Sequence, residues 1–430
     1  MTDMQYSLLD DGLLEVRASD GTRERLTLPE VFAGIARGDG TIESFEALQP
    51  HQRQPWHSFL AQLAAMALAR HGLERMPEEP DRWRELLLDL SDGSEAAWHL
   101  VVDDVSRPAF FQPPVPGELS EPSFVREGKF EVQTPDKLNL WFTSKNHDIK
   151  MHRVLKPRAE HWLIGLVVVQ TMQGYTDPYH FGIVRMNSGA GTRPFIGMSP
   201  RLGWSHHVKR DVEILLESRS EHTERYDLSG YTLLWLEPWS NENVEQIPLY
   251  SCDPYFIEVC RRIRLTVDDN QIRCWKGKNQ YQRIKAPDNL QGITGDPWTP
   301  VNVPESKSLG LGSSGFHYEK LRRILFSGDY KRPPGTRISQ YEQDEGKAVL
   351  LAEGIARGQS ETNGYHRRTV PIPTGAWSIF EDPSKREKFG KRSKARVEKV
   401  SAVTEKVLRP ALYGLFAAGQ DADPSSLTDQ

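Results

Sequence analysis

From Gly174 to Met198 the chain reads GYTDPYHFGIVRMNSGAGTRPFIGM, where glycine, proline and aromatic residues alternate too closely for a helix or a strand to run through. A connection of that length inside a compact domain is either functional or disordered. Tyr175, Tyr179 and Phe181 argue against disorder, because disordered segments are poor in aromatic residues. The fold must therefore hold a long irregular segment between its regular elements, and no internal repeat is evident.

The flanking elements are short and mixed. Leu13 to Ser19 and the RERLTL that precedes Pro29 read as two strands about a turn at Asp20-Gly21. Trp56, Phe59, Leu60, Leu63, Ala67 and Leu68 recur at helical spacing within Gln54 to Arg70, and a second helix spans Asp81 to Leu90 after Pro80. The proline-rich Arg107 to Pro122 reads as extended chain on the surface. Further helices are expected over His161 to Met172, Val208 to Arg219, Phe316 to Phe326 and Tyr341 to Arg357. A strand is expected over Tyr231 to Glu237, and a hairpin over Arg261 to Trp275 with its turn at Asp268 to Gln271. Pro371, Pro373 and Gly375 read as a linker, and Lys385 to Ala418 as a long basic helix or helical pair interrupted at Pro410. The fold class is thus α+β. A large irregular mixed N-terminal domain (1–375) precedes a short basic α-helical C-terminal region (376–420) and a polar tail (421–430).

Composition bounds the function. Of the 430 residues 38% are hydrophobic and 26% charged, as in soluble globular proteins. The longest apolar run, Trp162 to Val169, is too short to span a bilayer, and the acidic start MTDMQYSLLDDG lacks the features of a signal peptide, so a cytoplasmic protein without membrane partners is expected. Cys252, Cys260 and Cys274 lack paired knuckle spacing and read as reduced, partly buried thiols. A net charge of −5 argues against bulk coating of nucleic acid. Ser384 to Arg409, however, holds ten Lys or Arg against three acids, a local +7 that leaves −12 for the remainder. Any nucleic-acid contact must then be local.

Signatures of catalysis are weak. GLGSSG (Gly310 to Gly315) has glycines spaced as in a dinucleotide site, but no strand precedes it, and a turn with Ser313 or Ser314 capping the next helix explains it. His147-Asp148 resembles the HD dipeptide of metal phosphohydrolases, with His152 nearby, yet further ligands are wanting. His206-His207 stands without a carboxylate cluster in sequence. No GxSxG, HExxH or P-loop occurs. Neither a metal, a cofactor nor a catalytic residue is expected.

Three segments interleave basic residues with aromatics and glycine: Tyr175 to Arg193, Arg273 to Lys285, and Arg357 to Arg368. The last lies in EGIARGQSETNGYHRRTVPIP (Glu353 to Pro373), read as a glycine-hinged loop in which Arg357, Arg367 and Arg368 surround Gln359, Ser360, Thr362 and Asn363. Arginines suit phosphates, and amide or hydroxyl side chains suit base edges. If the three segments converge they offer one groove of a duplex slim backbone, a cation and an amide, the parts a minor-groove reader needs.

TSKNHD (Thr143 to Asp148), QTMQGYTDPYHFGIVRMNSGAGTRPFIG and ARGQSETNGYHRR resemble the CasA family, the large subunit of the type I-E CRISPR Cascade complex, and the order of elements is similar through Leu412. The resemblance implies a non-catalytic subunit of an RNA-guided complex that inspects the duplex motif flanking the target through the minor groove and opens the duplex for guide pairing. It implies a glutamine wedge at Gln359, flanked by Gly358 and Ser360, with Arg357 and Asn363 beside it. The glycine loop falls on Gly174 to Gly182, where Tyr175, Asp177, Pro178 and Tyr179 replace the denser glycines of the family. The lysine finger falls among Lys276, Lys278 and Lys285. Ser144, Lys145, Asn146 and His147 match a segment that contacts the guide crRNA and neighbouring subunits.

Double-stranded target DNA, guide crRNA, other Cascade subunits and a helicase-nuclease or other nuclease module are the partners the resemblance implies. The family ends in a four-helix bundle, of which this chain carries only the basic stretch. Either further helices come from another chain, or the nuclease is recruited differently. Two other readings stay open. One is a metal-dependent nuclease or phosphohydrolase using His147, Asp148 and His152; the other is a structural scaffold whose basic C-terminal helix docks an acidic partner.

Overall fold

The computed structural model describes residues 6–116, 124–126, 134–140, 154, 156–176, 178–187, 189, 191–240, 246–279, 281–358 and 361–417. Its N-terminal strands, Leu14–Arg17 and Arg23–Leu26, pair antiparallel about the expected turn. Helix α1 (Leu28–Arg37) follows at once, where the sequence pattern suggests only a stop at Pro29. In the first helical turn proline sacrifices no hydrogen bond, and Thr27 and Glu30 close a capping box around it.

Helix α2 (Arg53–Arg70) is the central element, buried at every position from Gln54 to Leu68, as a helix enclosed on all sides must be. It packs on α5 (Trp204–Ser218), on α3 (Pro80–Leu90), on α4 (Ala159–Met172) and on the strand Cys252–Ile257. The aromatics of α2 are core, as expected. The irregular run after Arg107 is not on the surface: Phe110, Phe111 and Gln112 are fully buried between α2 and Trp235. The Gln112 amide satisfies this buried backbone, donating to the carbonyls of Leu100 and Phe110 and accepting from the Leu265 amide. The expected strand over Tyr231 to Glu237 reduces to Tyr231–Leu233.

The short hairpin, Arg262–Asp268 with Gln271–Gly277, matches expectation. Asp269 and Asn270 adopt positive φ (48° and 59°), as a two-residue turn between right-twisted strands requires. Helix α6 (Tyr318–Phe326) is capped by His317, not by Ser313 or Ser314. Gly315 instead takes a left-handed φ of 62° beneath His366.

Tyr341 to Arg357 does not form the single helix expected of it. Helix α7 is only Gln340–Glu345, stopped by Gly346 in the left-handed conformation. The chain then enters the strand Ala348–Gly358, central in a three-stranded antiparallel sheet between Phe195–Ser199 and Glu361–Ile372. Its burial on both faces removes the alternation that marks a strand, so AVLLAEGIA reads as helix by composition alone. The segment Glu353 to Pro373 is thus a long hairpin rather than a loop. Pro371 lies in its edge strand, where a missing donor costs no ladder bond, and not in a linker. Beyond Thr374–Ala376 come α8 (Trp377–Glu381) and α9 (Pro383–Val403), then a wider π-type turn (Thr404–Leu408) and α10 (Arg409–Ala417). Pro410 cannot donate to Lys406, and the wider turn just before it carries the axis past that break.

Candidate nucleic-acid interface

The glycine segment is tied off at its neck. Gly174 and Gly182 approach so closely that a Cβ on Gly182 would lie 2.5 Å from the Gly174 carbonyl carbon, and the Thr176 amide donates to the His180 carbonyl at 3.0 Å. The side chain that locks both limbs is Arg261. It donates to the carbonyls of Gly174 (3.1 Å), Phe181 and Cys260. Arg261 is itself placed by Gln170, a fully buried amide of α4. The Gln170 Oε1 accepts from the amides of Cys260 (3.0 Å) and Arg261 (2.8 Å), while its Nε2 donates to the carbonyls of Arg261 and Phe111. Beyond the loop the Val184 amide donates to buried Glu258 at 2.7 Å. Burial pushes the Glu258 carboxyl up to about 7, against the pull of that amide and of Arg185 and Arg193.

The other two basic segments meet this neck. Lys276 and Gly277, at the end of the short hairpin, line a cleft of ≈ 210 Å³ with Thr176, His180, Arg261 and Arg262. The Lys278 ammonium lies 5.0 Å from the centre of the Tyr179 ring, and the Asn279 amide donates to the Tyr179 carbonyl at 3.0 Å. On the third side, the Thr192 hydroxyl donates to the Ile355 carbonyl of the long hairpin at 2.7 Å, while the Thr192 backbone bridges to Gln173 beside the loop. Arg357 is largely buried with its Nε unpartnered among the described residues. Burial and the neighbouring Arg261 cation both push its guanidinium below the ordinary value. The glycine segment and the short hairpin therefore line one basic cleft, and the long hairpin meets the glycine segment at Thr192 with Arg357 within the field of Arg261.

Gly358 pairs with Glu361 across the hairpin, and Gln359 and Ser360, the two residues that join them, lie outside the described residues. Asn363 follows on the edge strand, exposed, donating to Glu361. Lys285 sits apart, lining a separate cavity of ≈ 350 Å³ with Arg225 and Tyr250. Ser144, Lys145, Asn146 and His147, with Asp148 and His152, also lie outside the described residues. The described chain just before them meets the hairpin, where the Leu140 carbonyl accepts from the Thr362 hydroxyl at 3.2 Å. Arg261, Gln170 and Glu258 escape the sequence reading. The one hint is a glutamine ending the apolar run LVVVQ of α4.

His207 does have a carboxylate neighbour, contrary to the sequence reading: Asp211 and His57 join it in a buried cluster. Asp211 accepts from His57 Nε2 (2.8 Å), the Trp298 indole (2.8 Å) and Arg210 (2.7 Å). Burial opposes its charge, but the facing His207, His57 and Arg210 hold its carboxyl below the usual range. Burial likewise pushes His207 well below the ordinary imidazole value. The two imidazoles stack with centroids 3.8 Å apart and planes 25° from parallel, and each turns its Nε2 to the Asp211 carboxylate, at 2.8 Å from His57 and 3.6 Å from His207. The cluster is a hydrogen-bonded joint between α2, α5 and Trp298.

No family model matches the sequence, nor does any curated protein sequence. Solved structures do. The chain superposes on CasA of Thermus thermophilus with a TM-score of 0.61 at 14% identity, over 98% of this chain and 82% of that one. Thermobifida fusca Cse1 matches over the same shares with a TM-score of 0.58 at 13% identity. The CRISPR-associated protein Cse1 of Acidimicrobium ferrooxidans matches 89% of this chain and 74% of its own, with a TM-score of 0.54 at 15% identity. With nearly the whole chain superposed on three such structures, this protein has the fold of CasA (Cse1).

Proposed function

We propose that this chain is the large subunit of a type I-E Cascade complex, which reads the duplex motif flanking a target through the minor groove and opens the duplex without covalent chemistry. The observation that carries the reading is a basic cleft lined by the glycine segment and the short hairpin, with the long hairpin hydrogen-bonded to the glycine segment at Thr192. In this account Gly174 and Gly182 keep the loop neck slim enough for a groove, and Lys276 and Lys278 supply cations to the phosphates. Gln359 is the wedge.

A wedge must not yield when it parts stacked bases, a step costing a few kcal/mol. The long hairpin suits that task because its inner strand is buried from Leu350 to Ala356 in a three-stranded sheet, so a load at its tip passes into the core. The segment holding Ser144, Lys145, Asn146 and His147 contacts guide crRNA and neighbouring subunits, and a helicase-nuclease or another nuclease module acts on the opened target. Sequence is read by guide pairing, and the protein reads only the flank.

The test is selection from a library of duplexes randomised in the flank, using the complex assembled with its guide RNA and partner subunits. Enrichment of a short motif, lost on Lys276→Ala with Lys278→Ala, is expected. Equal binding to all flanks would overturn the reading.

A further inference from the structure

Helix α9 carries a seam that begins inside the molecule and ends outside it. Gly390 and Ser393 are buried, with Gly390 pressed so close to Phe326 of α6 that a Cβ would meet the Phe326 carbonyl oxygen at 2.5 Å. The Phe389 and Phe326 rings pack edge to face beside it, and Arg322 of α6 donates to the Gly390 carbonyl. Stepping along α9 by alternate three and four residues from Gly390 and Ser393 gives Val397, Val400 and Thr404; the wider turn Thr404–Leu408 then takes up one more residue, so Leu408, Leu412 and Leu415 continue the stripe with Val407 at its edge. An apolar stripe along one side of a helix is the mark of a face that packs against another element.

No helix among the described residues covers the outer part of the seam. Val400 is 65% exposed and Val407 56%, while Leu408, Leu412 and Leu415 beside them are 51–77% exposed. From Lys394 onward no described residue of the helix is buried. A lone helix in water gains little from propensity and depends on burying its apolar face. Charge selects the occupant. From Lys394 to Ala417 there are five basic residues (Lys394, Arg396, Lys399, Lys406 and Arg409) against Glu398 and Glu405. A second copy would set like charges along the seam, whereas an acidic amphipathic helix would pair with them.

We propose that the outer half of this helix, Val397 to Leu415, is the docking site for an acidic amphipathic helix of another polypeptide, which prolongs the packing begun by α6. The inference stands independently of the duplex-reading function, since it uses none of the residues around the basic cleft.

The probe is a synthetic four-heptad helix with leucine at its seam positions and glutamate at the flanking ones, titrated by fluorescence anisotropy into the full chain. We expect saturable binding that Val400→Asp with Val407→Asp weakens at least tenfold. Lys399→Glu with Lys406→Glu should weaken it too, and transfer binding to a lysine-flanked version of the probe. Both pairs of sites are exposed, so folding should survive, which circular dichroism checks. Three results would each overturn the proposal: no binding of the acidic probe, a dimer of the chain alone in sedimentation that the valine variant dissolves, or binding unchanged by the valine variant. Duplex DNA binding at this helix that is lost in the lysine variant and kept in the valine variant would assign the surface to nucleic acid instead.

Discussion

Arg261 donates to carbonyls on both limbs of the glycine loop and is held by a buried amide, so the loop's shape depends on one guanidinium. Arg261→Ala leaves these buried acceptors without their charged donor and should lower stability by about 2–3 kcal/mol. Hydrogen exchange of the Thr176 and Ile183 amides should rise beyond the global change; protection that falls only in step with global stability would contradict this. Glu258 adds a pH dependence. Its folded carboxyl is raised to about 7 from the usual 4.5, so its contribution to stability is full below pH 4.5 and is lost as pH rises towards 7, on the order of 3 kcal/mol for such a shift. Glu258→Gln, which keeps an acceptor for Val184, should flatten that part of the stability profile in urea melts across pH 4.5–7.5. His207 acts oppositely, because a folded form that resists protonation loses stability as pH falls below about 6.5. At this scale the sequence exposes the residues that stand on glycine-rich segments, Lys276 and Arg357 among them. It hides the ones that hold those segments, because a buried Arg or Gln differs from a surface one only by its surroundings.

Helices with one capped end and one apolar stripe are legible in the sequence, as are two-residue turns such as Asp269-Asn270. The elements that mislead are those whose surroundings erase their period. The strand Ala348–Gly358 is covered on both faces, and the buried run at Phe110 is irregular backbone satisfied by the Gln112 side chain. Only tertiary contact tells such segments from a helix or a surface loop. The GLGSSG turn shows how an element can be supported from beneath. Gly315 holds a left-handed φ of 62°, and a Cβ there would meet the His366 ring at 2.2 Å. Gly315→Ala should therefore cost more than the ~1–2 kcal/mol of the backbone conformation alone. It should also disturb the outer strand of the long hairpin, visible as increased proteolysis near His366. An alanine variant as stable as the parent would show that the turn does not brace the hairpin.

For the molecule as a whole, the net charge of −5 conceals a strongly basic C-terminal helix and a small basic cleft, so electrostatics guide it only locally. Lysines that meet phosphate should each lower the log–log salt slope of duplex binding by about 0.9. Lys276→Ala is expected to do so and Lys285→Ala, in its separate cavity, is not. The decisive measurement is strand opening. With 2-aminopurine placed beside the flanking motif of a target duplex, the assembled guide-loaded complex should raise the fluorescence. Gln359→Ala should assemble normally and bind the flank, yet lose most of that rise. Normal opening by the Gln359→Ala complex would contradict the account.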